Sequence, residues 1–135
     1  MVRMSRRIWI GIALAAMLSV GAAQEKKAAT WRQLGETTAS FLADHDAVIV
    51  QPPYENFHRI KFQVADAPLT LVRIVALYDE DEPDRMDLRE RIEPGGESRV
   101  IELPTAGKRS LRKVEFWYDT ADARRSARVT VFGMK

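Results

Sequence analysis

Histidine and serine are the residues here best equipped for general-base or nucleophilic work, and neither falls into a pattern that uses it. The histidines are His45, inside Asp44-His45-Asp46, which reads as a turn, and His58, just ahead of an alternating segment. A zinc site needs three or four ligands, and neither H-x-x-x-H nor H-E-x-x-H spacing occurs. The serines are Ser5, Ser19, Ser40, Ser98, Ser110 and Ser126, none of them in a G-x-S-x-G elbow. Ser98 follows Gly96-Glu97 but leads into strand-like sequence, not into the helix an elbow requires. Asp79, Glu80, Asp81, Glu82 and Asp84 offer the hard oxygen ligands that calcium prefers. The glycine and closing glutamate of an EF-hand loop are missing, so the run reads as a solvated loop steadied by the arginines between Arg85 and Arg91. With 19 acidic residues, some carboxylates will pair by chance, and no convergent set marks a hydrolytic cleft. The chain has no cysteine, hence no disulfide, thiolate metal site or thiol nucleophile. These residues point to no catalytic site, no metal and no cofactor.

The basic and aromatic residues are more informative. Arg99, Lys108, Arg109, Arg112 and Lys113 lie in and around one turn, and Arg124, Arg125 and Arg128 lie in the next. If the two segments pair, these cations gather along one edge. Edge charges are a common guard against aggregation; gathered, they would also suit an anionic surface such as lipid head groups or acidic polysaccharide. In Val114-Glu115-Phe116-Trp117-Tyr118, the alternation places Val114, Phe116 and Tyr118 on one face and Trp117 with Lys113 and Glu115 on the other. A tryptophan among charges can stack on a sugar ring or meet a protein partner, or it can be covered by a loop or by the aliphatic stems of Arg and Lys. The candidate ligand-binding residues are therefore Trp117, Arg112, Lys113 and Arg99.

The elements that would position them are strands. Short runs rich in Val, Ile, Phe and Tyr recur every 10–15 residues between Gly, Pro and Asp clusters, which is the spacing of an all-β sandwich or barrel. The expected strands are Thr30 to Glu36, Ala47 to Val50, Phe57 to Val64, Leu69 to Tyr78, Arg85 to Ile92 (with a short helical turn as the alternative), two within Gly95 to Asp119, and Ser126 to Phe132. Ile60, Phe62 and Val64 face one way and Arg59, Lys61 and Gln63 the other. Leu69 to Tyr78 is apolar on both faces and reads as a central strand covered on both sides. Glu93-Pro94-Gly95-Gly96 is a turn, and Gly95 to Asp119 reads as strand, turn, strand. About eight strands with one face in and one face out predict a two-sheet antiparallel β-sandwich, of Greek-key or jelly-roll type.

The N-terminal segment reads as a signal peptide. Arg3, Arg6 and Arg7 precede a 13-residue apolar run, Ile8 to Val20, and then small Gly21, Ala22 and Ala23. The run is shorter than the roughly 18 residues of a spanning helix. Cleavage is expected after Ala22 or Ala23, followed by a loose lead-in over 24–29 and one domain over 30–135. The full chain carries 21 basic and 19 acidic residues, and residues 1–23 hold three of the basic ones and none of the acidic. The expected mature chain is thus net −1 and lacks the surplus of cations a nucleic-acid footprint needs.

Trp31 with Leu34-Gly35, Phe57 leading to Ile60-Lys61-Phe62 and Val64, Gly95 to Leu103, Arg109, Val114 to Tyr118, and a closing strand ending at Gly133 together resemble a YaaI-like family of small secreted bacterial proteins of unknown function. The likeness covers most of residues 30–133 and is carried by common strand residues. Departures are Glu102, where an Asp is expected, and the longer turn Pro104-Thr105-Ala106-Gly107. The resemblance implies export and a compact β-fold; it brings no activity and no catalytic residues. The expected function is an exported, non-catalytic binding or envelope-associated module. Its partner would be a protein, a glycan or an anionic envelope surface, not nucleic acid, with membrane contact only through the signal peptide. A small secreted hydrolase and a purely structural or assembly role are the alternatives.

Overall fold

The computed structural model of the 135-residue chain describes residues 30–120 and 125–135. The signal-peptide and lead-in assignments, and Arg124 of the basic group, lie outside the described residues. Within them the chain forms eight strands and no helix: β1 (Arg32–Ala39), β2 (His45–Ile49), β3 (Arg59–Ala65), β4 (Leu69–Tyr78), β5 (Asp84–Ile92), β6 (Ile101–Glu102), β7 (Leu111–Thr120) and β8 (Ala127–Met134). They make two four-stranded antiparallel sheets, ordered β1-β8-β3-β6 and β2-β7-β4-β5. β1 pairs with β8, β2 with β7, β3 with β6 and β4 with β5, as in one long hairpin rolled up on itself. That nesting is a jelly roll, which selects between the two sandwich types the sequence left open. The sheets keep their edges and do not close into a barrel.

The inner faces meet in one core. β3 contributes Ile60, Phe62 and Val64, and β7 contributes Val114, Phe116 and Tyr118, the residues that alternation assigned inward. Phe62 and Phe116 touch edge to face across the two sheets, with ring centroids 5.5 Å apart at 71°. At one edge β1 leans on β2: Leu34 O accepts from Gln51 N (2.8 Å), and a Cβ on Gly35 would stand 2.8 Å from Ile49 O. Only a residue without a side chain lets the two sheets approach this closely.

Two expectations need correction. Gly95 to Asp119 is not a strand–turn–strand hairpin. β6 has two residues and joins β3, whereas β7 belongs to the other sheet, between β2 and β4. The link 103–110 crosses from one sheet to the other, so its cations and those of β8 do not line a common edge. The acidic run is steadied not by Arg85 to Arg91 but by Arg109. Its guanidinium donates to Glu80 O (2.9 Å), Glu82 O (2.8 Å) and Thr105 O (2.6 Å), and lies 4.1 Å over the Tyr78 ring.

β4 is central in its sheet, as expected, but among the described residues no further layer covers its outer face; there Val72 and Leu77 are half-buried and Val75 is buried. Its strict alternation also fails. Both ladders of β4 shift register between Leu71 and Arg73. Leu69 and Leu71 point inward before the bulge, and Ile74, Ala76 and Tyr78 after it, so Val72 and Arg73 both face out. A bulge places two residues opposite one and re-aims side chains.

Candidate binding face

The bulge lies beside a row of residues that crosses the whole β2-β7-β4-β5 sheet on its outer face. With Phe116 and Tyr118 turned into the core, Trp117 must face out. On one side its strand neighbour is His45, whose imidazole stacks on the indole at 4.3 Å and 13°. On the other side the neighbour is Arg73, whose guanidinium carbon sits over the indole at 5.7 Å. Arg73 in turn faces Asp87 of β5, donating from Nε to Oδ1 over 2.9 Å. The row His45–Trp117–Arg73–Asp87 therefore joins an aromatic stack, a cation–π contact and an ion pair. Both faces of the indole are occupied, so what it offers outward is its edge.

Beside the row lies a shallow trough floored by the bulge. One depression, of about 280 Å³, is lined by Asp44, Val72, Arg89, Trp117, Tyr118 and Asp119. A second, of about 360 Å³, is lined by Val72, Arg73, Asp87, Leu88 and Arg89. They share Val72 and Arg89. Arg89 Nη1 stands 3.8 Å from Asp119 Oδ2, with both side chains 70% exposed. The end wall is the β1–β2 loop, held by Tyr118: its amide donates to Asp44 O (3.0 Å), and its hydroxyl accepts from Ser40 N (3.2 Å) and donates to Ser40 O (3.3 Å). Burial raises the Tyr118 pKa, keeping the hydroxyl a donor at neutral pH. The outer face of the other sheet has a depression of about 310 Å³, lined mostly by polar residues such as Gln33, Glu36, Gln63, Arg128 and Thr130. It has no aromatic side chain in its lining.

The four residues singled out in the sequence do not form one patch. Trp117 is half-buried in the row, and Lys113 lies further along the same face. Lys113 Nζ is 3.7 Å from Glu115 Oε2, itself 3.9 Å from His45 Nε2. Arg112 is exposed at the far end of β7, stacked at 4.1 Å on Tyr54. Arg99 lies ahead of β6 and pairs through Nε with Glu90 (3.1 Å). His45, read as a turn residue, is the first residue of β2 and the closest partner of Trp117. Val72, Arg73, Asp87 and Arg89 carried no sequence signal of a site, because sheet neighbours are remote in the chain and the bulge shows only as a strand apolar on both faces.

The remaining candidates are used within the fold. His58 Nε2 is 2.9 Å from Gly107 O. Ser98 Oγ accepts from Phe62 N (2.9 Å) and donates to Arg99 O (2.8 Å). Among the described residues, no group of three or more His, Cys, Asp or Glu is placed to hold a metal ion.

A family model described as a domain of unknown function (DUF2541) matches residues 12–133. Among curated proteins none matches the chain. A solved structure reported as a structural and functional characterization of Pseudomonas aeruginosa AlgX is similar, with a TM-score of 0.50 and 9% identity over 74% of this chain and 26% of that one. The chain spans about a quarter of the AlgX chain it matches, and at this identity the likeness is one of fold.

Proposed function

The chain belongs to the DUF2541 family of domains of unknown function, and we propose that within it this protein is an exported, non-catalytic binding module of the cell envelope. Its contact surface is the outer face of the β2-β7-β4-β5 sheet. A narrower placement with the YaaI-like secreted proteins belongs to the same proposal, on the residues quoted above.

The observation that carries the reading is the row His45–Trp117–Arg73–Asp87 above a bulge-floored trough. A solvated sheet face needs only scattered polar residues. This face fixes an indole between two neighbours, so a partner meets a wall already ordered and little side-chain entropy is lost on contact. The positive, apolar and small-residue segments of 1–23 support export. The non-catalytic part rests on where the displaced pKa values fall. Glu55 is lowered chiefly by the Lys135 hydrogen bond. Tyr78 is raised, first by burial and then by Asp84. Asp84 is lowered because the Thr105 and Tyr78 hydroxyls outweigh its burial. These three groups serve contacts of the fold away from the trough, and the fourth, Tyr118, which lines the trough, spends its hydroxyl on the Ser40 backbone.

The test is a binding screen of purified protein against envelope proteins, glycans and anionic vesicles, repeated with Trp117→Ala. One class should bind the wild type, and Trp117→Ala should weaken it about tenfold or more, as for an interface anchor. Binding that Trp117→Ala leaves unchanged would remove the face from the account, and a blank screen would remove the module.

A further inference from the structure

The trough is specific about charge. Resting on the binding-face reading, we propose that it takes an uncharged, hydroxyl-rich glycan chain rather than a polyanion. Its two cations, Arg73 and Arg89, face Asp87 and Asp119, and Asp44 adds a third carboxylate at the end wall. Two guanidinium groups against three carboxylates leave the lining at −1, which repels an anionic polymer. The basic residues expected to attract one are elsewhere: Arg99 with Glu90, Arg112 on Tyr54, and Arg128 on the other sheet, 3.6 Å from Asp66.

What the lining does offer is alternating donors and acceptors around an apolar strip. A sugar hydroxyl both donates and accepts. Beside an Arg–Asp pair it gives its proton to the carboxylate and takes one from the guanidinium. Arg73 spends Nε on Asp87, and Arg89 is 3.8 Å from Asp119, beyond hydrogen-bond length. Each guanidinium has five N–H donors, so both retain donors for a ligand. Between the pairs, half-buried Val72, turned outward by the bulge, forms a floor for the C–H face of a pyranose, while Leu88 beside it packs its side chain against the core. Trp117, clamped edge-on by His45 and Arg73, is a wall of the trough and not a stacking platform. Two depressions side by side with a common Val72 and Arg89 suit consecutive units of a chain better than one enclosed molecule.

The experiment is calorimetry on the purified full chain. The probes are neutral β-glucan, mannan and dextran oligosaccharides of one to six units, polygalacturonate, and phosphatidylglycerol vesicles. A neutral series should bind, with affinity rising from one unit and levelling off once both depressions are filled. Val72→Arg, which fills the floor from a half-buried, outward-facing position, and Arg89→Ala should each weaken it about tenfold, the scale of a lost anchor. Arg128→Ala on the other sheet should leave it unchanged, and unaltered melting would show that the variants fold. Failure of every neutral series to bind overturns the inference, as does neutral binding indifferent to Val72→Arg. If polygalacturonate or vesicles bind instead and Trp117→Ala weakens them, the glycan inference fails while the binding-face reading survives.

Discussion

Phe62→Ala should lower the unfolding free energy by about 3–5 kcal/mol, the range for removing a fully buried aromatic side chain and leaving a cavity. Phe62 is 0% exposed and meets Phe116 of the opposite sheet. The truncation therefore opens a void between the two layers and removes their edge-to-face contact. For a domain held by about 5–15 kcal/mol, that is about a fifth of the total or more. Without cysteine there is no disulfide to limit the loss. In urea the midpoint should fall with an unchanged slope. Phe132→Ala, on the outer face of β8 and only half-buried, is the control and should cost much less. Equal losses at the two positions would contradict the packing of the sheets through Phe62.

Asp84→Ala is expected to cost about 2 kcal/mol at neutral pH, the scale for leaving one buried donor, the Tyr78 hydroxyl, without an acceptor and loosening two part-buried ones from Thr105. Asp84 is 6% exposed. It accepts from Tyr78 Oη (2.5 Å), Thr105 Oγ1 (2.6 Å) and Thr105 N (3.2 Å). Truncation strands these donors and loosens the end of the sandwich, where Arg109 ties the acidic loop to the link 103–110. Burial alone would raise the Asp84 pKa, but the hydrogen bonds from Thr105 and Tyr78 and the nearby Arg109 charge lower it below the ordinary value. A depressed folded-state pKa contributes stability that is present above the unfolded value, about 3.9, and lost as pH falls through the folded value. The difference between wild type and Asp84→Ala should therefore be full at neutral pH and shrink below about pH 4. Chemical denaturation across that range measures it. A difference that stays constant, or widens in acid, would show that the carboxylate does not do this work.

Much of the scaffold was legible because period-two alternation is local. Ile60-Phe62-Val64, Val114-Phe116-Tyr118 and Ala127-Val129-Val131 each declare an inward face within one strand, and they suffice for a two-sheet sandwich. Strand order is not local: β1 meets β8 and β2 meets β7 across most of the chain, and nothing in either partner names the other. The same limit governs the site. The outward direction of Trp117 followed from its own strand. Its neighbours His45 and Arg73 are set by pairing, and Val72 by a bulge that reverses the parity of β4 after Leu71. Counting cations along the sequence also misled, since Arg109, Arg112 and Arg128 diverge to a loop, a tyrosine and the other sheet.

The central claim is that the outer face of the β2-β7-β4-β5 sheet is the contact surface. Amide and indole chemical shifts of isotope-labelled protein, followed while a neutral oligosaccharide is added, test it most directly. The account predicts saturable shifts at Val72, Arg73, Arg89 and the Trp117 indole N–H, with His45 responding through the stack. Shifts confined to Gln33, Gln63 and Thr130 on the opposite sheet, or to Tyr54 and Arg112 at the end of β7, would contradict it.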